Sequence, residues 1–451
     1  MNRPPHPSRR RFLKTGTGAA MAGWLVPAIA RTAGGGKKLK VAAIVTAFFH
    51  RSHAHVILEN FLVPYLFNGE VIDPREHFEI ASLYVDQFGT RRRPDMARPV
   101  AAEFGIPLHE TVTGALTLGG DDLAVDAVLM IGEHGDYPFN EKGQELYPKR
   151  RFFDEIVSVF EKSGRSVPVY SDKHLSHSFA EAREMVDTAK RLDFGLMAGS
   201  SVPLAERRPP MDPPAGSRIA AAVSIHGGPL ERYGFHGLEV LQSIVETRAG
   251  GETGVASVRY LEGESLWRAA DDGSWSEDLA NLALRAEMGP GAPPLRRLLT
   301  RPGFAGTPPH GFLLRYRDGL RAIVLKIGVS GIRWDFACRL DGRAEPLSTY
   351  FHGGPWDNRN LFKALAHAIQ SHFLTGKPPC PVERTLLAGG ALEAAIDSKI
   401  AGGAEIATPH LEFAHETRDF SAYREMGKTW ETITEDTPQP PGIEPVGIPD
   451  A

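Results

Sequence analysis

The chain has little cysteine. Cys338 and Cys380 are the only two among 451 residues, which excludes a disulfide framework and any all-cysteine metal site but permits one bridge. It also lacks an apolar run long enough to span a bilayer. The softest stretch, GAAMAGWLVPAIA (residues 18–30), is too short for a stable transmembrane helix. Charge of one sign is missing as well: a formal net charge of −4 gives no electrostatic case for nucleic acid or an anionic membrane. No internal repeat occurs. With 42% hydrophobic and 24% charged residues the composition is that of an ordinary globular protein, long enough for two domains.

The N-terminus is distinctive. Arg9 and Arg10 precede Phe12, Leu13 and Lys14. A weakly apolar stretch follows, and Ala28 and Ala30 form a small-x-small cleavage site. This reads as a twin-arginine export signal over residues 1–30, cut after Ala30. It makes the export machinery a partner and places the mature chain in the periplasm or otherwise outside the cytoplasm. That route carries folded proteins, so a cofactor can be loaded before export.

Beyond the signal, strand and helix patterns alternate. Nearly continuous apolar strands (KLKVAAIVTAF, FEIASLYVDQF, VDAVLMIG, SVPVYSD, LMAG) are separated by segments with helical spacing, the first of them HRSHAHVILENFLVPYLF (residues 50–67). Ser178 followed by Glu181 reads as a capping box. Repeated strand–helix–strand units with buried strands imply a parallel sheet covered on both faces, a doubly wound α/β domain over residues 38–203. Residues 204–433 differ. A Pro-rich linker (ERRPPMDPPAGS) leads to a strand and a helix. A cluster of alternating strands follows, with RDGL as a hairpin turn, and two long helices close the segment. That pattern is an α+β domain with an open, mostly antiparallel sheet. Residues 434–451 form a Pro-rich tail.

Several stretches resemble the Gfo/Idh/MocA oxidoreductases, the relatives of glucose–fructose oxidoreductase and inositol dehydrogenase. DKHLSHSFAEAREMVDTAKRLDFGLMAGSS resembles their E-K-P segment, and YGFHGLEVLQSIV their H-x-x-D helix. FLTGKPPCPVERTLLAGGALEAAIDSKIAGG resembles their C-terminal helix pair, and IVTAFFHRSHAHVI aligns with their G-x-G-x-x-G-x-x-H segment. The resemblance runs from Leu39 to about Leu411. It implies hydride transfer between NAD or NADP and a sugar, cyclitol or related polyol.

On that alignment the three fingerprint glycines fall on Val45, Ala47 and His50. Such glycines serve three separate ends, which are a tight turn, close approach to the pyrophosphate, and strand–helix packing. Ala47 nearly meets the second; Val45 and His50 meet the others poorly. The helix N-terminus still attracts anions, and Thr46, Arg51 and Ser52 could add donors. Asp86, ending the second strand, is placed for ribose hydroxyls or is an ordinary strand-end carboxylate. The resemblance makes Lys173 and His236 managers of the substrate hydroxyl proton, with Glu239 at the position of the family's Asp. The alternatives are a surface salt-bridged lysine for Lys173 and a satisfied interface histidine for His236.

Glu133 and His134 open an unusually charged loop on the nicotinamide side. With Asp136, Asp172, His174, His177 and His236 near, a metal site is conceivable, although the spacing carries no ligand signature, and none is assigned. His53 and His55 face different ways on one helix, and His53 reads as structural. The expectation is an exported NAD(P)-dependent oxidoreductase whose second sheet supplies substrate contacts and a face for a homo-oligomer. The rival is a non-redox descendant of the same fold that has lost the dinucleotide.

Overall fold

The computed structural model of the chain describes residues 37–89, 93–302, 304, 308–440 and 442–445; the export signal read at 1–30 lies outside them. The first sheet has six parallel strands. In spatial order they are Leu108–His109, Phe78–Gln87, Leu39–Ala47, Ala127–Ile131, Val169–Asp172 and Leu196–Gly199. Counted along the chain this is 3-2-1-4-5-6, so the winding reverses between the first and fourth strands, where doubly wound sheets hold their ligands. Val41 to Val45 are fully buried, as a central strand covered on both faces requires. Val45 pairs with Val85 on one side and Ile131 on the other.

Two local expectations are corrected. The first helix spans only His53–Leu62. Pro64 follows, and Tyr65–Phe67 pairs with Glu70–Ile72 as a hairpin where the apolar spacing suggests more helix. The capping box is absent. Ser178 makes no side-chain cap, Glu181 accepts from the Ser176 hydroxyl, and the Phe179 amide donates to Glu393 at 2.7 Å. A carboxylate from a distant helix does the capping, a partner that local sequence cannot show.

The second sheet has eight strands, antiparallel except where Ile219–His226 runs beside Arg321–Lys326. Glu206–Arg208, inside the expected linker, is its edge strand. Helices Leu230–Val245 and Val382–Ile400 cover one face. The other face is not open: Gly263–Asp271 and Glu277–Met288 bury Val223, Ile225, Ile323 and Ala337 beneath them. Cys338 and Cys380 are both free.

The helix Asn358–Thr375 belongs by sequence to the second half but packs against the first helix. It places Phe362, Leu365, Ile369 and Phe373 in the core of the first sheet. The tail docks beside it. Trp356 Nε1 donates to the Thr437 carbonyl at 3.0 Å, Arg359 binds Glu59 and the Pro440 carbonyl, and Ile443 is buried.

Candidate active site

The first strand does not turn where the fingerprint places its turn. Val45, Thr46 and Ala47 are all strand residues, with Ala47 paired to Gln87. The bend comes later, and its left-handed residue is Arg51 (φ 63°) rather than Val45 or His50. The expected phosphate donors are engaged elsewhere. The Thr46 hydroxyl donates to the Glu133 carbonyl at 2.6 Å. Ser52 caps the helix, accepting from the amides of Phe49 and His55 at 3.2 Å each. The Arg51 guanidinium donates to the Trp356 carbonyl and the Gln439 side chain.

His50 and His55 lie beside the Glu444 carboxylate, close enough for the three to suggest a metal site. The protons argue otherwise. The Arg51 amide donates to His55 Nδ1 at 2.9 Å, so the neutral ring carries its hydrogen on Nε2, which faces Glu59 and Glu444. An Nε2–H is a donor to carboxylates, not a metal ligand.

Asp86 ends the second strand as expected, but both of its oxygens are occupied. Tyr84 and Tyr137 donate to it at 2.7 Å each, and Arg151 pairs with it. Burial opposes its charge, yet these donors hold its pKa below the ordinary carboxylate value. Tyr137 comes from the 133–147 loop, which is pinned again where the Asp136 amide donates to Gln87 at 2.8 Å.

At the C-terminal edge of the fourth and fifth strands lies a buried ionic cluster. Lys149 is 2% exposed, and its ammonium donates to Glu133 Oε1 at 2.6 Å, the Asp172 carbonyl at 3.0 Å and His174. Lys173 meets the other oxygen of Glu133 at 3.2 Å. Burial works against the Lys173 charge, but Glu133 and Asp172 outweigh it and hold its pKa above the lysine norm. It is therefore a fixed cation and hydrogen-bond donor. Glu133, pulled down by both lysines against its burial, is its anion. The loop carrying Glu133 passes Lys149 so closely that a Cβ on Gly132 would lie 2.7 Å from Lys149 Cγ.

His236 and Glu239 both grip the exit of the sixth strand. His236 Nδ1 meets the Ser200 hydroxyl at 2.6 Å, and Glu239 accepts from the Thr385 hydroxyl at 2.8 Å and from the Ser200 amide. Burial raises Glu239 to about 7 despite Arg384 and Thr385. A carboxyl raised in the fold stabilises it fully below its unfolded value near 4.5, and that contribution fades as pH climbs through about 7. We expect Tm to fall between about pH 4.5 and 7, with Glu239→Gln removing on the order of 3 kcal/mol of the pH dependence. A melting series in which the variant keeps the full pH slope would contradict this.

A small cleft is lined by Glu133, Tyr147, Lys173, His174, Glu231, Arg232 and Phe235. Burial raises Glu231 to about 7. The backbone here is strained: Arg51, His134 and Lys173 all hold positive φ (63°, 70° and 60°) without being glycine, a cost that persists mainly at functional sites.

Sequence reasoning missed Lys149, the His53–Asp172 pair (2.5 Å) and Glu231. Lys149 had one available signal. It sits at the first position of helix Lys149–Ser163, where the helix dipole disfavours a cation, so it needs a dedicated anion.

No family model and no curated protein matches the chain. Solved structures do. GenD2 from gentamicin A biosynthesis, in complex with NAD, is similar over 84% of this chain and 99% of its own, at 13% identity and TM-score 0.53. Myo-inositol 2-dehydrogenase from Lactobacillus plantarum is similar over 82% and 99%, at 11% identity and TM-score 0.50. An Agrobacterium radiobacter oxidoreductase in complex with NAD+, L-tartaric acid and magnesium matches over 82% and 98%, at 13% and 0.50. The fold is that of the Gfo/Idh/MocA oxidoreductases. Lys173, Glu133 and the His53–Asp172 pair sit together at the sheet edge, and the turn after the first strand is filled by the chain's own groups. Asp86 is fully engaged, Ser52 and His134 take first-turn amides of the helix, and Phe49 and His134 pack edge to face at 5.4 Å over the turn.

Proposed function

We propose that the chain is an enzyme of the oxidoreductase type acting on a hydroxyl-bearing carbon of a sugar, cyclitol or related polyol. The observation that carries this reading is the convergence of Lys173, Glu133, His236 and the His53–Asp172 pair at the sheet edge where doubly wound folds bind ligands. The donors suit a substrate rich in hydroxyls, and Lys173 can stabilise an oxygen that loses its proton. The NAD named in two of the neighbours supports a nicotinamide dinucleotide, NAD or NADP, as redox partner. It would take or supply the hydride. The occupied turn favours a second reading, in which the same cluster works without a dinucleotide as a lyase, a hydrolase or a carbohydrate-binding site. Calorimetric titration of the purified chain with NAD(H) and NADP(H) separates the two. Binding below about 1 mM, with turnover on a polyol panel, is the expected result. No heat with any of the four leaves only the second reading.

We also propose export by the twin-arginine route, on the strength of Arg9, Arg10 and the Ala28–Ala30 cleavage site. Replacing Arg9 and Arg10 with lysine together is expected to retain the protein in the cytoplasm, uncut, as read by fractionation and N-terminal mass. Normal cleavage of that variant would remove the proposal.

A further inference from the structure

Which group around the Lys173–Glu133 cluster can accept a proton depends on where the hydrogens already are. The Ser200 hydroxyl accepts from the Val202 amide at 3.0 Å and pairs with His236 Nδ1 at 2.6 Å, so that nitrogen of His236 is engaged in either tautomer. Lys149 donates to His174 Nδ1 at 2.8 Å, and the His53 amide donates to His134 Nδ1 at 3.4 Å, so those two rings, when neutral, carry their hydrogen on Nε2. Burial keeps all three neutral, holding His174 at about 3 and the others well below the histidine norm. Lys173 is a cation and Glu133 is bound by two lysines.

His53 is the opposite case. Its Nδ1 faces Asp172 Oδ2 at 2.5 Å, while the Tyr170 hydroxyl fixes Oδ1 at 3.2 Å. A carboxylate can only accept, so Nδ1 carries a hydrogen, and in the neutral ring Nε2 carries the lone pair. The ring is held edge to face against His134 (4.9 Å) and Phe362 (4.7 Å), and its side chain keeps 11% exposure.

We propose that His53 is the proton acceptor of this site, its Nε2 taking the proton of a substrate hydroxyl while Asp172 holds the resulting imidazolium. The substrate O–H bond breaks and an Nε2–H bond forms. The oxygen keeps the electron pair and meets the Lys173 ammonium. This rests on the reading that the cleft is an active site, but the hydrogen positions can be tested without any substrate.

Long-range nitrogen–proton spectra of histidine-labelled protein at about pH 7.5, assigned with His53→Gln, should show His53 protonated on Nδ1. Diethyl pyrocarbonate followed by peptide mass analysis should acylate His53. An Nε2–H His53, or a His53 that resists acylation, overturns the proposal even if a polyol is turned over. If no polyol is turned over, the functional reading fails while these two measurements still decide His53. Where turnover is found, His53→Gln is expected to lower kcat at least about a hundredfold with little change in KM, and Asp172→Asn to lower it less. Loss confined to Glu231→Gln, with His53→Gln near wild type, overturns the assignment.

Discussion

Lys173→Met is expected to lower turnover on the sugar or polyol substrate by about 10²- to 10⁴-fold while the circular dichroism spectrum stays that of the parent. Methionine keeps the length of the side chain and removes its charge. Glu133 retains Lys149 at 2.6 Å, so the buried carboxylate is not orphaned and the fold has little reason to fail. What disappears is the ammonium of the buried cluster that lies against the cleft; Arg232, which also lines it, is paired with Glu145 instead. The left-handed backbone of residue 173 is unaffected, since methionine bears the same strain there. Arginine at this position should not rescue, because its planar fork cannot replace a point charge in so small a space. Turnover within about tenfold of the parent, measured as kcat and KM separately, would show that Lys173 is only the partner of Glu133.

Lys149→Met should behave in the reverse order, with stability failing first. The ammonium is buried and joins three segments: the Glu133 loop, the Asp172 carbonyl at the end of the fifth strand, and His174. Its removal leaves two buried carbonyls without their donor and half of the Glu133 charge uncompensated. Breaking one side of a buried pair costs about 3–5 kcal/mol, which in a domain of this size is a fall in Tm on the order of 10 °C. Thermal melts followed by fluorescence and circular dichroism measure it directly. A variant melting within about 2 °C of the parent would mean that water or Lys173 replaces the ammonium, and the cluster would then be less rigid than its distances imply.

Much of the scaffold is readable along the chain. The strand at Leu39–Ala47 reads as buried because its consecutive apolar residues, Val41 to Val45, can be satisfied only between two covering layers. The helix at Lys149–Ser163 reads from its spacing and from Gly164, whose left-handed cap needs no side chain. The second sheet reads from alternation and turn residues. The helices Gly263–Asp271 and Glu277–Met288 do not, because nothing local says which side of a sheet a neighbouring segment crosses, and the face they cover looks open from sequence alone. Helix Asn358–Thr375 shows the same limit: its apolar stripe is plain, but its docking on the first helix rather than on the second sheet is a matter of three-dimensional fit.

The site divides in the same way. Asp86, Glu133 and Lys173 can be named because the ends of parallel strands converge by construction, whereas His236, on a helix of the second half, is named only through the family resemblance. Their chemical states cannot. Asp86 accepts from Tyr137, 51 residues on, and from Arg151, 65 residues on. The ring of His53 is oriented by Asp172, 119 residues away, and that of His236 by Ser200. By itself the sequence determined the class of architecture, a parallel α/β half and a mostly antiparallel α+β half, because burial periodicity is local. The tertiary structure alone decided which nitrogen holds a proton and which carboxylate is free, because hydrogen bonds between side chains depend on contacts a few ångströms across and carry no trace in sequence spacing.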